Sequence, residues 1–164
     1  MNGLRYIAIL SLALWVGGIV ALGALAAPTL FELLEARDPA GGRELAGLLF
    51  GGIFERFQYS VWGLGFVVLA SLAARAALGP RPRRFAARMW TTLAMLAVSA
   101  GLALYVAPRI DAIRESVPGP VASLAEDDTR RTEFGRLHGL SNGLMLVTVL
   151  AGLGLMWVEM KDTH

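Results

Sequence analysis

Apolar residues run along this chain in long blocks whose ends are marked by charge. Four blocks carry no formal charge: 26 residues from Tyr6 to Phe31, 18 from Phe57 to Ala74, 20 from Met89 to Pro108 and 22 from Leu137 to Val158. A helix rises about 1.5 Å per residue and bilayer hydrocarbon is roughly 30 Å thick, so about 20 apolar residues cross it. Ionised side chains are costly inside, which confines them to the block ends. The pattern predicts an all-α integral membrane protein with four spans.

Helical spacing extends past the apolar blocks on one side. Asp38-Pro39 reads as an N-cap followed by an N1 proline, and Leu45, Leu48, Leu49 and Ile53 recur at helical spacing on the way into the second block. Ser123-Leu-Ala-Glu126 has the form of a capping box ahead of the fourth block, and Val117-Pro-Gly-Pro120 reads as a turn. Helices two and four are therefore expected to reach about 35 to 40 residues and to project beyond the bilayer on its outer side.

The chain also matches itself. A shift of 80 residues aligns Leu22, Ala27, Pro28 and Glu35 with Leu102, Ala107, Pro108 and Glu115. Without a gap it also aligns Phe54, Arg56, Gly63, Leu64 and Val67 with Phe134, Arg136, Gly143, Leu144 and Val147. Spans one and three cross in the same direction, so the halves are expected to be parallel repeats within one domain of residues 1–164, the first about 1–80 and the second about 81–164. The fold expected is a four-helix bundle built by duplicating a helix pair.

Composition narrows the function classes. Hydrophobic residues make up 55% of the 164 and charged residues 17%, which excludes an ordinary water-soluble globule. The net charge of +2 gives no reason to expect a nucleic-acid partner; the lipid bilayer is the partner expected. Without cysteine there are no disulfides, thiolate metal sites or cysteine nucleophiles. Arg5, the apolar run after it and Ala24, Ala26 and Ala27 imitate a secretory signal, but the run is too long for one and repeats as the third block. It is read as a span. Arg75, Arg81, Arg83, Arg84 and Arg88 put five positive charges, with no acid, between spans two and three. That places the short loop and both termini in the cytoplasm of a cell whose inner membrane holds the chain.

Few residues inside the spans carry chemistry. Pro28 and Pro108 deprive the carbonyls of Ala24 and Leu104 of their usual amide partners, so each proline is expected to bend or end its helix. His138 is the one histidine within a span, with Asn142 and Met145 at successive turns beyond it, and Gln58 occupies the repeat-equivalent position of His138. Arg56 and Arg136 open spans two and four. Together these residues form a polar set, and Gln58, His138 or Asn142 is expected to donate to the backbone near Ala24 or Leu104. Ligation of haem or copper by His138 is the alternative, with no cofactor expected otherwise. Gly135, Gly139 and Gly143, with Ala97 and Gly101, are expected to pack helices within the bundle, and the four tryptophans to lie at interfaces or on mid-span apolar surface. No charge lies in a span core, which argues against an ion-coupled pump. No Walker, Rossmann, nucleophile-elbow or H-E-x-x-H pattern appears, so an enzyme would have to use His138 with Asp111, Glu126, Asp127 and Asp128.

Gly17-Gly18, Ala27-Pro28-x-x-Phe31, Ala40-Gly41 and Phe134-x-x-Leu137-His138-Gly139-x-Ser141 resemble the transmembrane protein 205-like family. Its bacterial members carry a domain of unknown function and are distantly similar to copper-resistance D membrane proteins. The resemblance implies the four-span fold. A copper path would need several His or Met residues facing outward, and this chain offers His138 and Met145. The function expected is that of a non-enzymatic small-molecule or metal-resistance factor or a component of a membrane complex, alone or as a homo-oligomer. The alternative is a haem- or copper-binding redox protein using His138.

Overall fold

A computed structural model describes residues 2–161. It holds four long helices: α1 Asn2–Arg37, α2 Gly42–Leu78, α3 Phe85–Glu115 and α4 Thr129–Met160, each long and apolar enough to cross a membrane. A single 3₁₀ turn, Val121–Ser123, lies between α3 and α4. Each helix packs chiefly on its neighbours in the order α1, α2, α3, α4 and back to α1, giving an antiparallel four-helix bundle. Such length and composition suit a multi-pass membrane protein.

Two clusters fill the interior. One gathers Leu12, Trp15, Val61, Val68, Met95 and Leu155, and the other Leu102, Val106, Ile113, Val121 and Leu137. Trp15 is 1% exposed, so this tryptophan anchors the core and not an interface. By contrast Phe66, Leu104, Leu146 and Leu150 point outward, as lipid-facing residues do.

The prolines are accommodated by local widening of their helices. Around Pro28 the backbone forms a π-turn over Leu22–Ala26, with Ala27 N–H donating to the Leu22 carbonyl; around Pro108 the same turn spans Leu102–Val106, with Ala107 donating to Leu102. Shifting hydrogen bonds to i→i+5 lets each helix continue through its proline without a break.

The capping expected from sequence is placed differently. Asp38 ends α1: its amide bonds to the Leu34 carbonyl, its Oδ1 accepts from Ala40 N–H at 3.1 Å, and α2 begins only at Gly42. At α4 the N-cap is Asp128, whose Oδ1 accepts from Arg130 N–H at 2.8 Å, while Ser123 Oγ bonds to the Pro120 carbonyl. At α4 an Asp five positions beyond Ser123 supplies the cap, and at α2 the N-cap position falls on Gly41, which offers no side-chain acceptor; the short capping pattern distinguishes neither.

The glycines that permit close packing are not the paired ones. Gly135, Gly139, Gly143 and Gly101 have open space where a Cβ would stand, and with Ala97 they face out of the bundle. The expectation that they pack the bundle internally is therefore corrected. Gly42 instead lies against the Leu34 carbonyl, and Gly152 against the Val16 side chain.

Two outcomes follow. Gly42→Ala drives a methyl into rigid backbone and costs about 1–3 kcal/mol, whereas Gly52→Ala, which meets nothing within 4 Å, is neutral or slightly stabilising; thermal unfolding in detergent measures both. The Arg130 side chain and amide, both donating to Asp128, pull its carboxyl down from 3.8 to about 2. With the native value depressed, the cap is fully present above pH 3.8 and lost only as pH falls through about 2, so the protection of the Arg130 amide, its exchange rate relative to the unfolded chain at the same pH, is expected to hold down to that range.

Candidate functional site

Two buried polar constellations interrupt the apolar interior. The first lies where α2, α3 and α4 meet at the end of the bundle that carries the Gly79–Arg84 connection. Arg75, in the last turn of α2, donates from Nη1 to Glu159 Oε2 at 2.7 Å; Arg88, in the first turn of α3, donates from Nη1 to Glu159 Oε1 at 3.0 Å. Arg88 Nη2 also reaches the Val158 carbonyl at 3.4 Å. The three side chains are 4–6% exposed. Thr92, fully buried, donates to the Arg88 carbonyl at 2.9 Å.

The chemistry of this cluster is cohesive. Each carboxylate oxygen of Glu159 accepts from a different helix, so one residue ties α4 to α2 and to α3 through charge-assisted bonds. Burial removes water's screening, which makes the attraction strong and makes loss of one partner severe. Sequence reading assigned Arg75 and Arg88 to topology together with Arg81, Arg83 and Arg84. The structure separates them: the first two are interior and ion-paired, the last three exposed.

The second constellation lies between α2 and α3. Gln58 Nε2 donates to the Ser99 carbonyl at 3.3 Å, and Ser99 Oγ donates to Gln58 Oε1 at 2.9 Å. Both residues are 5% exposed. They line a void of about 10 Å³ with Trp15, Phe57, Met145 and Thr148, space for about one water and far too little for an organic ligand. Thr148 Oγ1 is already committed to the Leu144 carbonyl.

The other sequence-selected residues stand apart from this pair. Gln58 does serve the α3 backbone, but at Ser99, five residues before Leu104, since the π-turn removes much of the need at the proline. His138 and Asn142 are exposed on the outer side of α4. The His138 ring stacks on Phe134 with centroids 6.2 Å apart, and its carbonyl accepts from Ser141 Oγ. Met145, two turns beyond His138 on the same side of α4, is half-buried and lines the void, whereas His138 is exposed. Arg56, Arg136, Pro28 and Pro108 are exposed as well. Among the described residues no three His, Asp or Glu side chains are grouped as metal ligands.

At the opposite end the polar contacts are partly solvated. Arg114 of α3 reaches the Gly47 carbonyl of α2 at 3.4 Å and lies over the Phe134 ring of α4. Arg131 donates to the Leu124 carbonyl at 2.8 Å, pinning the connection before α4. The Arg114 contacts tie α3 to α2 and α4, and the Arg131 bond fixes the connection before α4.

The chain belongs to the DUF4149 family, a domain of unknown function, whose model matches residues 10–117. No curated protein and no solved structure matches it.

The Glu159 cluster makes a specific prediction. Glu159→Gln takes the carboxylate from two buried guanidinium groups and lowers unfolding free energy by about 3–5 kcal/mol. Replacing Arg75, Arg88 and Glu159 together by Met restores most of that loss, because the buried charge goes with its counterions. Thermal denaturation of the two variants in one detergent checks this; equal losses in both refute it.

Proposed function

We propose that this chain is a non-enzymatic component of a larger assembly in the cell inner membrane, joined to its neighbour through the outward face of α4. The observation that carries the reading is the exposure of His138 and Asn142 beside Gly135, Gly139 and Gly143. Asn142 lies inside the uncharged block, and among the described residues its side chain makes no hydrogen bond. In hydrocarbon an unpartnered amide is costly, while an adjacent helix with a polar side chain satisfies it. The glycines remove the Cβ atoms that would keep such a helix away. An amide both donates and accepts, so Asn142 of a second copy is a suitable partner, as is a polar residue of another subunit.

The finer architecture in this proposal is a duplicated helix pair. It is supported by the two π-turns, which begin at Leu22 and Leu102, and by burial in the same register: Ala8, Leu12 and Trp15 beside Arg88, Thr92 and Met95, then Val68, Leu72 and Arg75 beside Thr148, Gly152 and Leu155. The Gly79–Arg84 end is assigned to the cytoplasm, together with both termini. In sequence, seven basic residues and two acids belong to that end, against eight arginines and eleven acids at the other. The 37 residues of α2 give a rod of roughly 55 Å, which exceeds the hydrocarbon and projects on the outer side.

The likeness to transmembrane protein 205-like and copper-resistance D proteins favours a role for that assembly in tolerance of small molecules or metals. With an interior void the size of one water, the chain acts in such a role through its partner's surface and not through a path of its own.

A benzophenone amino acid at position 146, one turn beyond Asn142 and 60% exposed, tests the assembly. In native membranes, illumination is expected to give one discrete larger product, of twice the chain mass if the neighbour is a second copy. The same probe at Phe66 on α2, also outward-facing, is expected to give none, and Asn142→Leu is expected to cut the yield at position 146 severalfold. A chain that stays monomeric with the probe at 146 overturns the reading.

A further inference from the structure

The cytoplasm-assigned end of the bundle holds more positive charge than its own carboxylates neutralise. Glu159 is buried and engaged by Arg75 and Arg88. Arg81, Arg83 and Arg84 are exposed, and no carboxylate of the described residues lies within ion-pair distance of them. The Arg81 guanidinium sits 4.6 Å over the Phe85 ring, and Lys161 Nζ lies 4.3 Å over the Trp157 ring, each cation held against an aromatic side chain at the rim. Apolar surface adjoins this charge directly. Leu78, the last residue of α2, is 75% exposed, and Trp90, six residues into α3, is 65% exposed. Trp90 lies six residues beyond Arg84, roughly 9 Å along the axis, which carries it past a headgroup layer of roughly 5–8 Å to the start of the acyl chains.

We propose that this rim binds an anionic glycerophospholipid, its headgroup phosphate held by Arg81, Arg83 and Arg84 and its glycerol and upper acyl chain lying along Trp90 and Leu78. Positive charge alone would equally suit a polyanion in solution. The adjoining band of exposed tryptophan and leucine selects a ligand that is anionic at one end and apolar at the other. Guanidinium groups suit phosphate oxygens through paired N–H donors, and the aromatic edge sits where the interface is mixed. The inference is independent of the α4 assembly: an unoccupied α4 face would leave it standing.

The test uses the full chain in mixed micelles at constant total lipid, with brominated acyl chains on either phosphatidylglycerol or phosphatidylcholine, reading quenching of tryptophan fluorescence. In a Trp157→Phe background, which removes the other exposed tryptophan at this rim, brominated phosphatidylglycerol is expected to quench Trp90 at several-fold lower mole fraction than the zwitterionic lipid, and Trp90→Phe to remove most of that difference. Each arginine near an anionic surface contributes roughly a fivefold preference, so Arg81→Gln with Arg83→Gln and Arg84→Gln should equalise the two lipids. The corresponding triple lysine variant should keep the preference, and high salt should weaken it in the unmodified protein. Equal quenching by both lipids, or a preference that survives high salt, overturns the proposal even if the glutamine variant fails to fold. Full competition by millimolar glycerol 3-phosphate also overturns it, by showing a site for free phosphate and not for lipid.

Discussion

The carboxylate of Glu159 is the point on which three helices of the bundle converge. It accepts from Arg75 at 2.7 Å and from Arg88 at 3.0 Å, and all three side chains are almost wholly buried. Lipid tails are as apolar as leucine, so helices in a bilayer gain little from burying hydrocarbon against one another. Directional bonds and close packing must then set the register. A charge pair at the rim of the hydrophobic span meets this need: it is close enough to the interface to escape the full penalty of the bilayer centre, yet buried enough for its attraction to be little screened.

With α2, α3 and α4 fixed at that end, the remaining contacts tune the bundle along its length. Midway, the reciprocal Gln58–Ser99 bonds hold α2 on α3 without leaving a polar atom of either side chain unused in hydrocarbon. Further along, the π-turns at Leu22–Ala26 and Leu102–Val106 absorb the prolines and keep α1 and α3 continuous. At the far end α1 and α2 are joined by the tight Asp38–Gly41 turn, possible only because Gly42 lacks the Cβ that would strike the Leu34 carbonyl.

The four helices were legible in the sequence because the cost of burying charge writes span boundaries directly into it. The ionic cluster was not, because a charge bounding a span looks the same whether it turns to water or to a neighbouring helix. One signal was available: Glu159 ends the fourth uncharged block at the level where Arg75 and Arg88 bound the second and third, and acids are scarce at that end. The G-x-x-x-G steps were read as packing within the bundle, but spacing does not say which way a helix face turns, and these glycines face out of it. Gly42 and Gly152, which permit the contacts inside the chain, belong to no such pair and pass unnoticed in a sequence rich in glycine. The 80-residue self-match sets His138 against Gln58, yet one is exposed and the other buried, so a match in sequence did not carry a match of environment.

The placement of polar groups also bears on how such a bundle can act. Most of the interior polar side chains are engaged within the protein: Glu159 with arginines, Gln58 with Ser99, Thr92 and Thr148 with their own helices, while the buried indole N–H of Trp62 has no hydrogen-bond partner among the described residues. The void beside Gln58 and Ser99, about 10 Å³, has room for about one water. The groups still able to bind something are at the perimeter: the amide of Asn142, the imidazole of His138 and the guanidinium groups of Arg81, Arg83 and Arg84.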